Sequence, residues 1–240
     1  MKHSLLLLSF IASSIHVFST DFNLRLGYNF GGALPLSLPA EVRRIDSYNP
    51  HFGLSLGAEA TVPMGKKWYA NVGLKVVNLK MSTTTQVKDY FTRVNIDQER
   101  VEGYFTGRVN THADLLGINL PIQAEYRLDE RWSLRAGVYL ALLVGQRFDG
   151  SVFDGYQRRG TPTGQRIDFA ANQQAHYDFS NEVRKPGAGL IFGADYRLKS
   201  RWSVYAEANW GLTGLFRKQF TAIGFPMYPI HGTFGVSYKL

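Results

Sequence analysis

Ile230-His-Gly-Thr-Phe-Gly-Val-Ser-Tyr-Lys-Leu240 is the stretch that decides the fold, and it is the last segment of the chain. Its even-numbered positions are apolar or glycine, whereas its odd-numbered positions are small or polar. This alternation predicts a β-strand with one apolar and one polar face. A strand at the end of a chain still needs a hydrogen-bonded neighbour on each edge, and the first strand is the simplest provider. We therefore expect this segment to close a β-barrel against the first strand.

Seven earlier segments show the same alternation, again with the apolar residues at even-numbered positions. They cover residues 22–30, 52–62, 68–78, 116–128, 132–144, 188–198 and 202–212. In the segment that begins at Trp68, the apolar face ends after about nine residues, which is the length that a tilted strand needs to cross a bilayer. Together with the final segment, they predict an all-β fold, an eight-stranded antiparallel up-and-down barrel that spans a membrane.

The predicted connections alternate between long and short along the chain. Residues 31–50, 82–112 and 148–183 are predicted as long loops, and residues 214–229 as a shorter loop. The short connections include an internal repeat, in which Ala124-Glu-Tyr-Arg-Leu-Asp-Glu-Arg-Trp-Ser133 returns as Ala194-Asp-Tyr-Arg-Leu-Lys-Ser-Arg-Trp-Ser203. Both copies read as hairpins with a tight turn. Long external loops and short periplasmic turns are typical of barrels in the outer membrane.

Residues 1–19 have a basic start, an apolar centre and small residues near the end, which predict a cleavable secretory signal peptide. The apolar run from Leu5 to Ala12 is much shorter than the roughly 20 residues that a membrane-spanning helix requires. We therefore divide the chain into a signal peptide, residues 1–19, and a barrel domain, residues 20–240. The chain has no cysteine, which excludes disulfides and thiolate metal sites, and we predict no cofactor.

The bulk of the side chains decides which face of the barrel meets lipid. Eight strands enclose only enough room for side chains to fill, so the lumen suits the face that carries glycine and polar residues. Six aromatic residues at strand ends near the short turns are predicted to form one interfacial girdle: Trp68, Tyr126, Trp132, Tyr196, Trp202 and Tyr238. Slipping the first strand by one residue would turn Arg25 toward lipid, at a cost of about 2–4 kcal/mol near the midplane. Pro121 interrupts the fourth strand, and we expect a local bulge there.

About residues 21–240 resemble the small eight-stranded outer-membrane barrels of Gram-negative bacteria, in particular the PorT-like outer-membrane β-barrel family. The most specific piece is in the last segment, which resembles the terminal signal that the barrel-assembly machinery reads. Its matching residues are Thr233, Gly235, Tyr238 and Leu240, where many relatives end in Phe. The resemblance implies export through the periplasm, a location in the cell outer membrane and contact with outer-membrane lipid. It does not assign an activity, because the activities of family members are diverse.

The alternation places charged residues of both signs inside the barrel. The predicted lumen ion-pair network comprises Arg25, Glu59, Lys75, Glu125, Arg127, Arg135, Asp195, Arg197 and Glu207. Paired carboxylates could carry out acid–base chemistry, but we favour a structural network that satisfies buried charge and fills the lumen. A lumen filled in this way should conduct poorly, so a small passive porin-like channel is only the alternative function.

The histidines outside the signal peptide do not have the spacing of a metal site. His112 and His176 each lie two residues before an aspartate, as an oriented base would, but no serine stands at a convincing position beside them. We therefore predict no catalytic and no metal-binding residues. An outer-membrane enzyme that acts on lipid or peptide is the second alternative.

The formal net charge is +8, but the positions of the basic residues argue against binding of nucleic acid. Basic residues cluster around the short turns, where they would face anionic head groups or cell-wall polymer. The loop at 214–229 is unusually apolar and either folds over the barrel mouth or docks a protein partner. Its candidate contact residues are Phe220, Ile223, Phe225, Met227 and Tyr228. We expect a non-enzymatic outer-membrane protein with a structural or interaction role through its external loops.

Overall fold

The computed structural model describes residues 20–96 and 99–240, and the predicted signal peptide at residues 1–19 lies outside them. The described residues form eleven β-strands and one short 3-10 helix, Ser180–Glu182. The strands are β1 (Asp21–Pro35), β2 (Val42–Pro50), β3 (Gly53–Pro63), β4 (Trp68–Ile96), β5 (Glu99–Arg127), β6 (Trp132–Arg159), β7 (Arg166–Asp168), β8 (Gln174–Asp178), β9 (Pro186–Arg197), β10 (Trp202–Gly211) and β11 (Met227–Lys239). Among these residues, no helix is long and apolar enough to cross a membrane.

Eight of the strands form a closed antiparallel ring. Their order around the ring is β1, β3, β4, β5, β6, β9, β10, β11 and back to β1. The ring closes along β1 and β11, where Leu26 lies opposite Val236. The predicted eight-stranded up-and-down barrel is therefore confirmed. We call the end with the short β3–β4, β5–β6 and β9–β10 connections the turn end, and the opposite end the loop end.

The barrel is apolar on the outside and polar on the inside. Leu56 and Phe234 on the outer face expose 61% and 63% of their surface, whereas Arg25 in the lumen exposes 1%. The even-numbered residues of the ring point outward, as the alternation predicts. An outer face of this kind is favourable only where water is excluded from it, so the barrel requires an apolar surrounding medium.

All three predicted long loops contain extended β-structure, and this part of the prediction is wrong. β4 and β5 have 29 residues each and pair almost throughout, so their hairpin continues through residues 82–112. β2 pairs with β4 inside the predicted loop 31–50, and β8 pairs with β6 inside the predicted loop 148–183. Pairing satisfies the polar backbone groups of these segments, and their many Val and Thr residues favour strands.

The structure beyond the loop end of the barrel contains most of the residues of a hydrophobic core, which continues into the barrel mouth at Val77, Leu79 and Leu115. We call it the extension, and it comprises residues 36–50, 82–96, 99–112, 148–185 and 213–227. Phe105 and Phe148 are almost completely buried in its core. The Tyr177 hydroxyl donates to Asn110 O at 3.0 Å and lies 2.6 Å from Thr111 Oγ1, while burial raises the pKa of this hydroxyl. The extension is therefore a packed unit rather than a set of separate loops.

Pro121 lies in β5 without the bulge that we expected. The pairs Val72–Ile122 and Lys75–Asn119, on either side of it, have the same register between β4 and β5. The β4–β5 ladder is interrupted between these two pairs instead, because proline has no N–H to donate. The interruption costs local hydrogen bonding but leaves every side chain of β5 on its expected face.

We predict that the extension can be destabilised without unfolding the barrel. Phe105→Ala removes a fully buried ring and should lower the stability of the extension by about 3–5 kcal/mol. Hydrogen–deuterium exchange in lipid nanodiscs should show faster exchange in residues 82–96 and 99–112, with unchanged protection in β1 and β11. Phe91→Ala is the matched control, because this ring is only partly buried. Equal effects of the two substitutions would contradict the role of the buried Phe105 ring in stabilising the extension.

Candidate functional site

A cluster of charged side chains fills the middle of the lumen, and Arg25 of β1 lies at its centre. Arg25 Nη1 lies 3.3 Å from Glu59 Oε2 and 3.0 Å from Asp195 Oδ1. Arg25 Nη2 lies 3.2 Å from Glu207 Oε1. The three carboxylates come from β3, β9 and β10, so one guanidinium connects strands from both halves of the chain.

Arg135 and Lys75 complete the cluster. Arg135 Nε lies 2.7 Å from Asp195 Oδ2, and its Nη1 lies 2.6 Å from Glu59 Oε2. Lys75 Nζ lies 2.7 Å from Glu207 Oε2. The cluster therefore pairs three cations with three carboxylates through short, charge-assisted contacts. Such pairing offsets the loss of hydration that burial imposes on each charge.

Two glycines provide the space for the ring that covers Arg25. Tyr205 lies on the guanidinium, with Arg25 Cζ 3.7 Å from the ring centre. Gly27 and Gly235 are cross-strand partners next to this ring. A Cβ atom would lie 2.5 Å from the Tyr205 hydroxyl at Gly27 and 2.7 Å from the ring at Gly235. Sequence reasoning missed Tyr205, although its odd-numbered, inward position was a signal that it belongs to the lumen.

The other three residues of the predicted network lie nearer the turn end. Glu125 accepts hydrogen bonds from Asn71 Nδ2 at 2.9 Å and from Arg127 Nε at 3.0 Å. Arg127 also lies over the Tyr69 ring, with Cζ 3.5 Å from its centre. Arg197 is the last residue of β9 and is exposed, so the structure does not bring it into the buried cluster. The alternation gives the face of a residue but not its depth, which is why Arg197 was grouped with the others.

The charged cluster leaves little open space in the lumen. On its loop-end side, Lys75, Glu207 and His231 line a void of about 10 Å³, which is about the minimum volume for one water molecule. On its turn-end side, Arg135 and Asp195 border a cavity of about 70 Å³. The two spaces lie on opposite sides of the ion pairs, so these side chains separate them.

Three cross-strand pairs of aromatic rings lie at the turn end. Each pair has its ring centres 4.8 Å apart, and the pairs are Trp68–Tyr126, Trp132–Tyr196 and Trp202–Tyr238. Arg131 Nη1 donates to the Tyr196 hydroxyl at 3.3 Å, and Arg201 Nη1 donates to the Tyr238 hydroxyl at 3.2 Å. The structure therefore brings the six predicted girdle residues to one end of the barrel, with basic groups on their polar side.

The tight turn between β5 and β6 is fixed by one carboxylate. Asp129 Oδ1 accepts hydrogen bonds from the backbone N–H groups of Trp132 and Arg131, both at 2.7 Å. These bonds hold the pKa of Asp129 below its usual range, and the bond from the Trp132 N–H contributes most. Local side-chain bonds of this kind explain why the sequence turns sharply here and places Trp132 at the edge of the barrel.

The apolar residues of the last predicted loop are largely packed against the rest of the chain. Ile223 and Met227 are buried in the core of the extension. Phe220 and Phe225 are half-buried against aromatic rings of that core, and Tyr228 is half-buried in β11. The segment therefore folds over the barrel mouth, which was the first of our two expectations for it. The expectation that these residues dock a partner is wrong for Ile223 and Met227, because their side chains are not accessible.

The two histidines considered as bases are not oriented by the aspartates that follow them. His112 Nδ1 lies 3.9 Å from Asp149 Oδ1, whereas Asp114 pairs with Lys80. His176 is exposed on β8, and the Asp178 carboxylate accepts a bond from the Ser180 N–H at 2.8 Å. Among residues 20–96 and 99–240, no group of three or more His, Asp or Glu side chains could hold a metal ion.

The residues of the predicted assembly signal close the ring. Thr233, Gly235 and Tyr238 lie in β11, and Leu240 is the residue directly after it. The Leu240 N–H donates to Phe22 O at 2.9 Å, which extends the pairing of the first and last strands to the end of the chain. These four residues therefore lie at the seam of the barrel.

Comparisons with known proteins agree with this architecture. The sequence model of a family described as "Outer membrane protein beta-barrel domain" matches residues 19–217. No curated protein matches the sequence.

Three solved structures are similar to this chain at low sequence identity. Ail, the attachment invasion locus protein of Yersinia pestis solved with the heparin analogue sucrose octasulfate, is 10% identical, with a TM-score of 0.42 and 92% and 99% of the two chains covered. OprG of Pseudomonas aeruginosa is 13% identical, with a TM-score of 0.41 and 92% and 95% covered. Neisserial surface protein A is also 13% identical, with a TM-score of 0.41 and 91% and 97% covered.

We predict that the lumen cluster determines the stability of the barrel. Arg135→Met should cost about 3–5 kcal/mol, because it leaves Glu59 and Asp195 with fewer partners inside the barrel. Arg197→Met is the control and should change stability by less than about 0.5 kcal/mol, because Arg197 is exposed. Urea unfolding in lipid vesicles measures both values. A loss for Arg197→Met equal to that for Arg135→Met would contradict the assignment of the cluster.

Proposed function

This chain belongs to the outer membrane protein β-barrel domain family, and we propose that it works there as a non-enzymatic interaction protein. Its location is the cell outer membrane. Long connections of such barrels face the outside and short turns face the periplasm, which places the extension outside the cell. The barrel acts as the anchor, and the extension presents a surface to a protein partner.

The observation that carries this proposal is the folded state of the extension. A packed core holds its strands in fixed positions, so a partner would meet a prearranged surface and would not have to order loose loops. Ordering costs are a main reason why contact area does not convert into affinity. A preformed surface is therefore better suited to recognition than a set of flexible connections would be.

One face of the extension has the residue types that are enriched in protein interfaces. Arg166 lies over the Tyr156 ring, with Cζ 4.0 Å from its centre, and Arg158 Cζ lies 5.5 Å from the same ring. Phe91 and Tyr104 form an aromatic pair on the β4–β5 hairpin, with ring centres 5.3 Å apart. Tyr, Phe and Arg are enriched at interfaces, and Tyr and Arg are frequent among the residues that contribute most binding energy.

The lumen supports an anchor better than a passive channel. Three guanidinium and ammonium groups are paired with three carboxylates across its middle, so ion passage would require several strong contacts to break together. The second alternative, an enzyme, has less support still, because neither His112 nor His176 is aligned with a carboxylate and a nucleophile. We infer that the charged lumen is structural.

The remaining assignments concern export and assembly. We infer that residues 1–19 are removed as a signal peptide and that residues 20–240 form the mature barrel domain. The terminal signal at Thr233, Gly235, Tyr238 and Leu240 is read by the barrel-assembly machinery, and the aromatic girdle contacts outer-membrane lipid. The position of these residues at the seam and at the turn end supports the last two roles.

If the extension binds a protein partner, substitutions in the face that carries Tyr156 and Arg166 should weaken that binding. Tyr156→Ala combined with Arg166→Ala should reduce the recovery of a crosslinked protein partner from intact outer membranes about tenfold, because both anchors of the face are removed. Arg43→Ala combined with Tyr48→Ala is the control, since it also removes one cation and one aromatic ring, both exposed and elsewhere in the extension. Equal recovery with the first pair and with wild type would contradict the proposal.

The anchor role of the barrel predicts a closed lumen. Wild-type protein reconstituted into planar bilayers should give no steady single-channel conductance, because ion pairs block the path. Replacing Arg25 and Glu59 together with Ala keeps the charges balanced and should produce measurable conductance. Steady conductance from the wild-type protein would instead support the channel function.

A further inference from the structure

Four basic residues meet at the loop end of β9 and β10 without a carboxylate partner. Arg184 and Lys185 directly precede β9, while Arg217 and Lys218 lie in the segment that crosses the barrel mouth. Two backbone bonds bring these segments together: Arg184 N donates to Leu215 O at 2.7 Å, and Arg217 N donates to Glu182 O at 3.0 Å. Four cations are thus concentrated where the two stretches pair.

These four residues differ from the other cations of the extension because they lie together and have no carboxylate partner. Five of the other cations are within ion-pair distance of a carboxylate, namely Arg44, Arg93, Arg108, Arg159 and Arg166. Within the described part of the chain, Arg184, Lys185, Arg217 and Lys218 form no such pair, and Arg184 Nη2 donates only to the carbonyl of Phe216 at 3.2 Å. Residues 180–185 and 213–227 contain these four bases and one acid, Glu182, a net charge of +3 (4 − 1). Unpaired positive charge at one place favours an anionic ligand.

An open cleft lies directly beside these charges. It has a volume of about 290 Å³, and Arg184, Arg217 and Lys218 line it together with apolar side chains. Its apolar wall includes Phe216 and Phe220, whose ring centres are 4.8 Å apart. The cleft therefore offers a positively charged edge and an aromatic wall within one space, the combination that suits a ligand with an acidic head and an apolar chain.

A second cavity continues from the cleft into the mouth of the barrel. It has a volume of about 60 Å³ and a largely apolar lining. Arg184, Gly214 and Leu215 line both spaces, so they mark the place where the two meet. His231 lines the mouth cavity and is buried, and its Nδ1 has no hydrogen-bond partner among the described residues. The cavity thus extends the apolar space inward from the charged edge.

The site lies where the apolar outer face of the barrel ends. Leu142 on that face pairs with Pro186, the residue after Lys185, and Leu212 on the same face lies two residues before Gly214. A molecule that resides in the membrane could therefore reach the cleft from the side, with its head at the level of the four cations. This position favours a membrane-derived ligand over a large soluble one.

We propose that the cleft and the mouth cavity together bind one single-chain amphiphile with an acidic head group, such as a long-chain carboxylate. Arg184, Arg217 and Lys218 hold the head, because guanidinium and ammonium groups form charge-assisted hydrogen bonds with carboxylates. The chain occupies the apolar space beside Phe216 and passes Gly214 toward the mouth cavity. This site does not depend on the protein partner proposed above, since it uses a different face of the extension.

A photoreactive 12-carbon carboxylate with a terminal diazirine tests the proposal on the full-length mature protein in phosphatidylcholine nanodiscs. Peptide mapping by mass spectrometry should place saturable labelling in residues 213–231, above the general labelling of the lipid-facing strands. The matching 12-carbon alcohol partitions into the bilayer as well, but should label residues 213–231 at least tenfold less, because it lacks the charge. Equal labelling by the alcohol would overturn the proposal.

Two variants and their controls make the test specific. Arg184→Gln, Arg217→Gln and Lys218→Gln together should reduce labelling about 10- to 100-fold, as expected for lost charge-assisted bonds. Gly214→Leu should also remove it, because a Cβ there would lie 3.9 Å from Met227 O and the side chain could enter the junction without a backbone clash.

The controls are Lys88→Gln with Arg100→Gln, and Gly65→Leu in a turn-end loop where a Cβ meets no atom within 4 Å. These should label as wild type does. The proposal would be overturned if the control variants lost labelling of residues 213–231, or if Gly214→Leu kept it. Heat-modifiable gel mobility confirms in each case that the barrel is folded.

Discussion

The contact of Arg25 with three carboxylates is the interaction on which the barrel depends. The outer face of the barrel is apolar, so hydrophobic burial cannot hold the interior together as it does in a water-soluble protein. Ion pairs and hydrogen bonds take that role, and they join β1 to β3, β9 and β10 across the lumen. The glycines beside Tyr205 follow from the same constraint, because a narrow lumen admits the cluster only if some inward positions carry no side chain. Stability and closure of the lumen therefore have one physical cause.

The membrane part of the fold could be predicted from the sequence because its alternation is uninterrupted, and the extension could not because its alternation changes phase. In β4 the register shifts between Val87 and Tyr90, where Asp89 has a φ of 53°, and both flanking residues are nevertheless buried. In β6, Tyr139 and Phe148 are both buried although they are an odd number of positions apart, since the pairing with β5 shifts in between. Each bulge moves the apolar residues to the other parity. A search for strict alternation therefore fails beyond each bulge, and the strand is predicted as a loop.

The candidate sites could likewise be predicted only in part from the sequence. Alternation identified the inward charges, but the depth of each residue and its partners depend on how neighbouring strands are staggered, as Arg197 illustrates. The amphiphile site has no local signal at all, because it arises where residues 180–185 meet residues 213–227 through the Val183–Phe216 bridge. A cation can be recognised as unpaired only when the positions of all nearby carboxylates are known, and the sequence alone does not give them.

The length of the β4–β5 hairpin has a consequence for the reach of the molecule. Residues 82–96 add fifteen positions beyond the predicted membrane span, which corresponds to roughly 50 Å along a strand at about 3.3 Å per residue. Because the side-chain repeat is two, adding or removing a pair of residues in each strand changes this height while every remaining side chain keeps its direction. The height of the exposed part can thus differ between related sequences without any change in the membrane-embedded ring.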